Sequence, residues 1–152
     1  MSEAVPCILG VDPGLDGAIA FYFPSHDAIA AEDMPVAAQQ VNGAILASRL
    51  RQMGPTAAVI EAVHSMPKQG VASTFKFGQS YGIAIGVVTA LNIPVRFVTP
   101  GKWKKHFGLS ADKEEARARA IQLWPARAEL FERKKDADRA EAALLAKWGA
   151  LS

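Results

Sequence analysis

The alternation of apolar and polar positions divides this 152-residue chain into short buried strands and longer amphipathic stretches. Residues 7–11 form a continuous apolar run that stops at Asp12-Pro13-Gly14, and residues 17–23 form a second. The Pro13-Gly14 and Asp16-Gly17 pairs between them are turn chemistry, so the two runs are expected to pair as an antiparallel hairpin. Residues 28–34 supply a weaker third strand after the turn at Pro24-Ser25. Val41, Ile45, Leu46, Leu50 and Met53 recur at helical spacing, which predicts an amphipathic helix over residues 36–53, ended by Gly54-Pro55. Residues 57–61 read as a short buried strand, 65–71 as a loop, and 73–91 as a long, largely apolar helix rich in Gly and Ala on one side. Residues 95–98 form another short strand. Pro100 opens a short helical segment that stops near Gly108. The run Ser110-Ala111-Asp112-Lys113-Glu114 carries N-cap chemistry leading into a helix through Trp124, which Pro125 terminates. A last helix covers residues 137–148.

Three strands at the start predict a meander, and later strands that alternate with helices imply parallel crossovers in the same sheet. The expected architecture is therefore α/β: a mixed five-stranded sheet, its first three strands antiparallel, with helices on both faces. With no repeat, low-complexity segment or linker, residues 1–152 are expected to form a single domain.

Four acidic positions stand out against this pattern. Asp12 and Glu61 each end a buried strand, and Asp138 and Glu141 lie three residues apart at the start of the Ala-rich last helix. A carboxylate at the end of a buried strand is costly unless its charge is compensated. Parallel neighbouring strands would bring Asp12 and Glu61 together at the sheet end where ligands bind in open α/β sheets. An i,i+3 pair projects from one helix face. Carboxylates gathered in this way point to divalent cations, and all-oxygen donors suit Mg²⁺. Two such ions roughly 4 Å apart clamp a scissile phosphate in two-metal hydrolysis. Asp12 is best placed to bridge both ions, Glu61 to complete one shell, and Asp138 and Glu141 to serve the other, with Asp136 competing for the same job. Taken singly, these residues also have plainer roles. Asp12 suits an Asp-Pro-Gly turn, and Asp136, Asp138 and Glu141 suit the positive end of a helix. Glu61 has no capping role available.

Composition narrows the rest. Half the residues are hydrophobic, 21% are charged, and the net charge is only +2, so the distribution of charge says more than its sum. One basic cluster holds Lys102, Lys104, Lys105, Lys113, Arg117 and Arg119, and a second holds Arg127, Arg133, Lys134, Lys135 and Arg139. The first fits phosphate contacts that position a duplex without reading its sequence, Lys104, Lys105 and Lys113 above all. The single cysteine, Cys7, excludes an internal disulfide framework and a thiolate metal cluster. No apolar run spans a bilayer and no signal-peptide pattern opens the chain, so a cytoplasmic, nucleoid-associated location is expected, with no membrane partner.

These residues carry a likeness. ILGVDPG, VIEAV, STFKFGQSYGIAIGVV, the stretch from Val98 through SADK to Trp124, and DRAEA, in that order, resemble the RuvC-type Holliday junction resolvases of the RNase H-like nuclease superfamily. The resemblance implies an RNase H-like fold and a homodimer that nicks four-way DNA junctions in symmetric pairs during recombination and repair. It also implies dependence on Mg²⁺, two ions per site, with the choice between Mg²⁺ and Mn²⁺ left open, and no nucleotide cofactor. The positions that match the family's acidic residues are Asp12, Glu61, Asp138 and Glu141. Lys113 matches a basic residue of its DNA-binding surface, with Lys104 or Lys105 as another. Glu141 stands where better-known members have Asp, adding one methylene of reach. His64 follows Glu61 where bacterial members often have an aromatic residue at the junction centre, and an imidazole can still stack on a base. The loop between the first two acidic strands is shorter, so the chain looks like the compact versions found in phages and mobile elements.

Other residues near the expected site are open to two readings. Phe75 and Phe77 open the long helix and can stack on bases or serve as core or dimer contacts. Gly78, Gly82, Ala84 and Gly86 would let another helix approach closely, from a partner or from the same chain. Trp103 and Trp124 read as packing anchors. Three alternatives compete: another nuclease of the same fold acting on RNA–DNA hybrids or on branched or flap DNA, a catalytically weak junction binder, and a phosphate-binding ATPase suggested by DPGLDGA. The last needs a second domain for which 152 residues leave no room.

Overall fold

The computed structural model describes residues 5–63 and 70–152. Its strands are β1 (Ile8–Asp12), β2 (Ala18–Phe23), β3 (Ala28–Asp33), β4 (Val36–Ala37), β5 (Gln40–Val41), β6 (Ala57–Glu61) and β7 (Val95–Val98). Its helices are α1 (Gly43–Met53), α2 (Val71–Ala90), α3 (Pro100–His106), α4 (Lys113–Leu123) and α5 (Ala137–Leu151), with 3₁₀ turns over Pro125–Leu130 and Lys134–Asp136. Five strands form one sheet in the order β3-β2-β1-β6-β7. β1, β2 and β3 pair antiparallel, and β6 and β7 add in parallel. The expected mixed sheet with its opening meander is therefore present.

Strand periodicity divides the core between two faces. Leu9, Val11, Ile19, Phe21, Ala58 and Ile60 face Leu46 and Leu50 of α1 and Ala84 and Val88 of α2. Ala18, Ala20, Val59 and Val98 face the other way, toward Trp103, Ala116, Ala120 and the body of α5. That helix is buried on most of its circumference, from Ala137 and Ala140 through Leu144 and Leu145 to Trp148. Small residues make this possible. A Cβ on Gly10 would strike the α5 backbone at Ala142 and Ala146, and one on Gly149 would strike Val59 and Ile8. Helix and strand thus lie almost backbone to backbone. Among the described residues, no helix is long and apolar enough to cross a membrane.

One expected element differs. The helix predicted over 36–53 begins only at Gly43, because residues 36–41 form the β4–β5 hairpin. Ala38 and Gln39 both adopt left-handed φ, 51° and 61°, the conformation that two-residue hairpin turns require. The Asn42 side chain then caps α1 by accepting from Ile45 N at 3.1 Å. Val41 fits the helical spacing, yet it is buried as a strand residue, and Ile45, also in that spacing, is exposed. His64 and most of the loop expected over residues 65–71 lie outside the described residues.

Gly10→Val should be among the most disruptive single changes in the sheet. Overpacking ordinarily costs about 1–3 kcal/mol, and a collision with helix backbone rather than a movable side chain belongs at or above the top of that range. Chemical denaturation of the variant against the wild type measures it.

Candidate metal and nucleic-acid site

Asp12 is the last residue of β1 and shares a strand face with Ile8 and Gly10. Gly10 lies against Ala142 and Ala146, and Ile8 lies against Gly149. Helix α5 therefore runs along β1 in the opposite sense, and its first turn arrives at Asp12. The two repeats match. Four strand steps from Ile8 to Asp12 cover about 13 Å, and eight helical steps from Gly149 back to Glu141 cover about 12 Å. One carboxylate oxygen from each of Asp12, Asp138 and Glu141 consequently falls within 4.8 Å of the others.

Glu61 ends β6, which pairs in parallel with β1 so that Val11 lies beside Ile60. The Asp12 and Glu61 carboxylates thus sit at neighbouring strand ends, as expected for parallel neighbours. Glu61 is buried, and its Oε2 accepts from the Trp103 indole Nε1 at 2.8 Å. Glu141 is buried at 4% exposure, while Asp138 is half-buried.

The electrostatics follow from this crowding. Burial pushes the Asp12 carboxyl well above the ordinary carboxylate range, and the negative charges of Glu141, Asp138 and Glu61 push it further. Glu61 is also raised by burial and by Glu141, against the opposing effects of the Trp103 N–H, Lys104 and Lys113. Lys113 is the cation that answers them, its Nζ 2.8 Å from Asp138 Oδ1 and 3.6 Å from Glu141 Oε1. Burial would lower its pKa, but the surrounding carboxylates raise it overall, so Lys113 is ammonium at neutral pH.

The remaining candidates are placed as follows. Asp136 is buried but turned away from the three converging carboxylates. It accepts from the Arg133 backbone and guanidinium, has Arg139 at 3.6 Å, and lies below the ordinary range because those bonds outweigh its desolvation. Phe75 is 67% exposed on α2, whereas Phe77 lines the cleft over Asp12 and packs against Gly14. That cleft, of about 270 Å³, is bounded by the Asp12–Gly17 turn, Phe77, Lys113 and Asp138. Lys104 and Lys105 line a neighbouring groove with Gly108, Ser110 and Ala111. The sequence reading gave Lys113 to a DNA-binding surface and Trp103 to packing. The structure adds that Lys113 is inside the acidic cluster and that Trp103 touches Glu61. The placement of SADK at the start of α4 was the available signal for the first, and nothing in the sequence marked the second.

The donor set fits a hard divalent cation. Three carboxylate oxygens converge, and the space between them already demands positive charge, which Lys113 partly supplies. The fit predicts how stability responds. The native Asp12 carboxyl holds its proton more tightly than it does in the unfolded chain. Its contribution to stability is thus fully present below the unfolded carboxylate pKa and is lost as pH rises through the higher native value. In EDTA at neutral pH, Asp12→Asn should therefore raise the melting temperature and flatten its decline with rising pH. It should also reduce the stabilisation that Mg²⁺ or Mn²⁺ gives the wild type. Thermal melts across pH, with and without the cation, read both effects.

No protein-family model matches the chain, and no curated protein matches it in sequence. Solved structures do match. RuvC of Thermus thermophilus in complex with Holliday junction substrate aligns with a TM-score of 0.65 over 96% of this chain and 95% of that one, at 17% identity. The fowlpox virus Holliday junction resolvase aligns with a TM-score of 0.54, covering 94% and 97% of the two chains at 19% identity. The yeast mitochondrial Holliday junction resolvase Ydc2 gives 0.54, covering 96% of this chain and 78% of that one at 12% identity. The chain thus has the RNase H-like fold, a mixed five-stranded sheet flanked by helices, in common with these solved Holliday junction resolvases.

Proposed function

We propose that the protein is a structure-specific endodeoxyribonuclease that resolves four-way DNA junctions by paired symmetric nicks. The observation that carries this reading is the convergence of Asp12, Asp138 and Glu141 beside Glu61, at the ligand-binding end of the parallel strands, in the fold of the resolvases. Asp12, Asp138 and Glu141 would hold one Mg²⁺ and Glu61 with Asp12 a second, Mn²⁺ substituting. Divalent cations bound there supply charge that neutralises the scissile phosphate and the negative charge developing during in-line hydrolysis to a 3′-hydroxyl and a 5′-phosphate. The chain itself contributes positioning. Asp12 is set by the strand end and by the turn behind it, where a Cβ on Gly17 would strike the Asp12 carbonyl. Asp138 and Glu141 are set by the seat of α5. Lys113 stands at the cleft wall beside Asp138 and Glu141, where its ammonium would be placed to meet a phosphate oxygen entering the cleft. Asp136, bound by two arginines, is not needed as a ligand in this reading.

The groove beside α3, with Lys104 and Lys105, would hold a duplex arm through phosphate contacts. A homodimer suits a two-fold substrate, because two symmetric cuts call for two symmetric sites. Helix α2 offers a surface for it: Val71, Phe75, Gly78, Gly82 and Gly86 are exposed along one side, and none of the described residues covers the three glycines. Phe75 then belongs to the dimer contact or to a base at the junction.

Two measurements test the proposal. A labelled four-way junction, a linear duplex and an RNA–DNA hybrid are each incubated with Mg²⁺ and with EDTA. Symmetric, Mg²⁺-dependent paired nicks in the junction alone are expected, and Asp12→Asn should abolish them while leaving fold and junction binding intact. Cutting of the hybrid instead would move the protein to ribonuclease H-like activity, and tight junction binding without cutting would make it a binder. Separately, Lys104→Ala and Lys105→Ala should weaken junction binding at low salt. Each should flatten the slope of log affinity against log salt concentration by about 0.9 per duplex phosphate contact removed.

A further inference from the structure

Trp103 is fully buried in the second turn of α3, where the sequence pattern suggests only a packing anchor. Its surroundings give it more to do. Strand β7 ends at Val98 beside Glu61, and Ala62 N donates to Val98 O at 2.7 Å, so the end of β6 and the start of α3 are tied together. Pro100 then begins α3 at once, which turns the helix back over the end of β6. The Trp103 indole N–H meets Glu61 Oε2 at 2.8 Å in a buried setting. The Lys104 ammonium lies 5.5 Å from the centre of the same indole ring.

A buried indole N–H needs an acceptor, and a backbone carbonyl would serve. Here the acceptor is the carboxylate that ends the second acidic strand, and a hydrogen bond to an ionised group is stronger and shorter than a neutral one. Glu has three side-chain torsions, one more than Asp, so the carboxylate end of Glu61, like that of Glu141, is less determined than those of Asp12 and Asp138 unless something holds it. The bond to Oε2 holds it. Among the described residues, the only hydrogen bond to the Glu61 carboxylate is this one to Oε2.

We infer that Trp103 is a positioning residue: its indole N–H fixes one oxygen of Glu61 so that the other is presented to a divalent cation, coupling the seat of helix α3 to the metal site. The inference rests on the metal-dependent reading of the site proposed above, but its test does not require DNA cleavage. Loss of a hydrogen bond that orients a metal ligand typically costs about 10- to 100-fold in metal affinity or activity.

The experiment compares wild type with Trp103→Phe, and with 3-benzothienylalanine incorporated at position 103, which keeps the bicyclic shape and replaces only the N–H. Three readouts are taken: melting temperature in EDTA, the Mn²⁺ concentration at half-maximal thermal stabilisation, and junction affinity in EDTA. The benzothienyl protein should melt a few degrees below the wild type in EDTA, because Glu61 Oε2 loses its buried donor, and bind the junction equally, while its Mn²⁺ midpoint rises roughly 10- to 100-fold. Trp103→Phe should show the same rise in midpoint, with a lower melting temperature from the smaller ring. If both proteins keep the wild-type Mn²⁺ midpoint, Trp103 only packs and the inference is overturned. If the Mn²⁺ midpoint rises but the wild type cuts no junction, the inference stands and the proposed activity falls.

Discussion

The close seat of helix α5 on strand β1 is the contact on which the rest of the molecule depends. It exists because Gly10 has no side chain and because the helix offers Ala142, Ala146 and Gly149 where it crosses the sheet. A larger residue at Gly10 would lift the helix off the strand. The displacement would pass to everything the helix carries, including Asp138 and Glu141 one turn inside its start. The core on that face is built mainly from Ala, Leu and Trp side chains that interlock with the sheet. Interiors at this packing density transmit small shifts and do not absorb them. The geometry of the acidic cluster is therefore a consequence of apolar packing some distance from it.

The cluster is also the least comfortable part of the fold. Burial and mutual repulsion both act against the charged forms of Asp12 and Glu61, and the hydrophobic contacts elsewhere hold the groups together in spite of it. Two devices inside the chain ease the conflict: the Lys113 ammonium between Asp138 and Glu141, and the Trp103 N–H on Glu61. Asp136 makes the contrast clear. It is as buried as any acid among the described residues, yet the Arg133 backbone and the Arg133 and Arg139 guanidinium groups face it, and it is stabilised in its charged form. A buried carboxylate with fixed partners supports structure. A group of them short of positive charge is arranged to receive it.

Much of this was legible before the fold was known. The strands over residues 57–61 and 95–98 stand where apolar runs between turn residues place them, and the meander follows from Pro-Gly and Asp-Gly pairs. The misreading at residues 36–42 has a physical cause. Val41 satisfies helical spacing and is buried, but a hairpin buries it equally well, and its turn uses Ala38 and Gln39 at left-handed φ in place of the usual Gly or Asn. The four acidic residues stand out as a joint pattern: singly, Asp12, Asp138 and Glu141 suit a turn or a helix end, and only Glu61 has no local role. Trp103 reads in the sequence only as a packing anchor, because its hydrogen bond to Glu61 joins residues 42 apart, and no local pattern encodes such a pair.

The sequence by itself determined the strands of the main sheet, most of the helices, which faces are apolar, and which carboxylates sit at strand and helix ends, but not the hairpin over residues 36–41. These are properties of short windows, governed by side-chain periodicity, turn chemistry and the cost of stranding a charge. The tertiary structure alone decided that three of those carboxylates meet within a few ångströms while Asp136, one turn away, does not. It also decided that a lysine from α4 and an indole from α3 complete their surroundings. Those outcomes depend on helix rotation and on the closeness of helix to sheet, set by the summed packing of residues far apart in the chain.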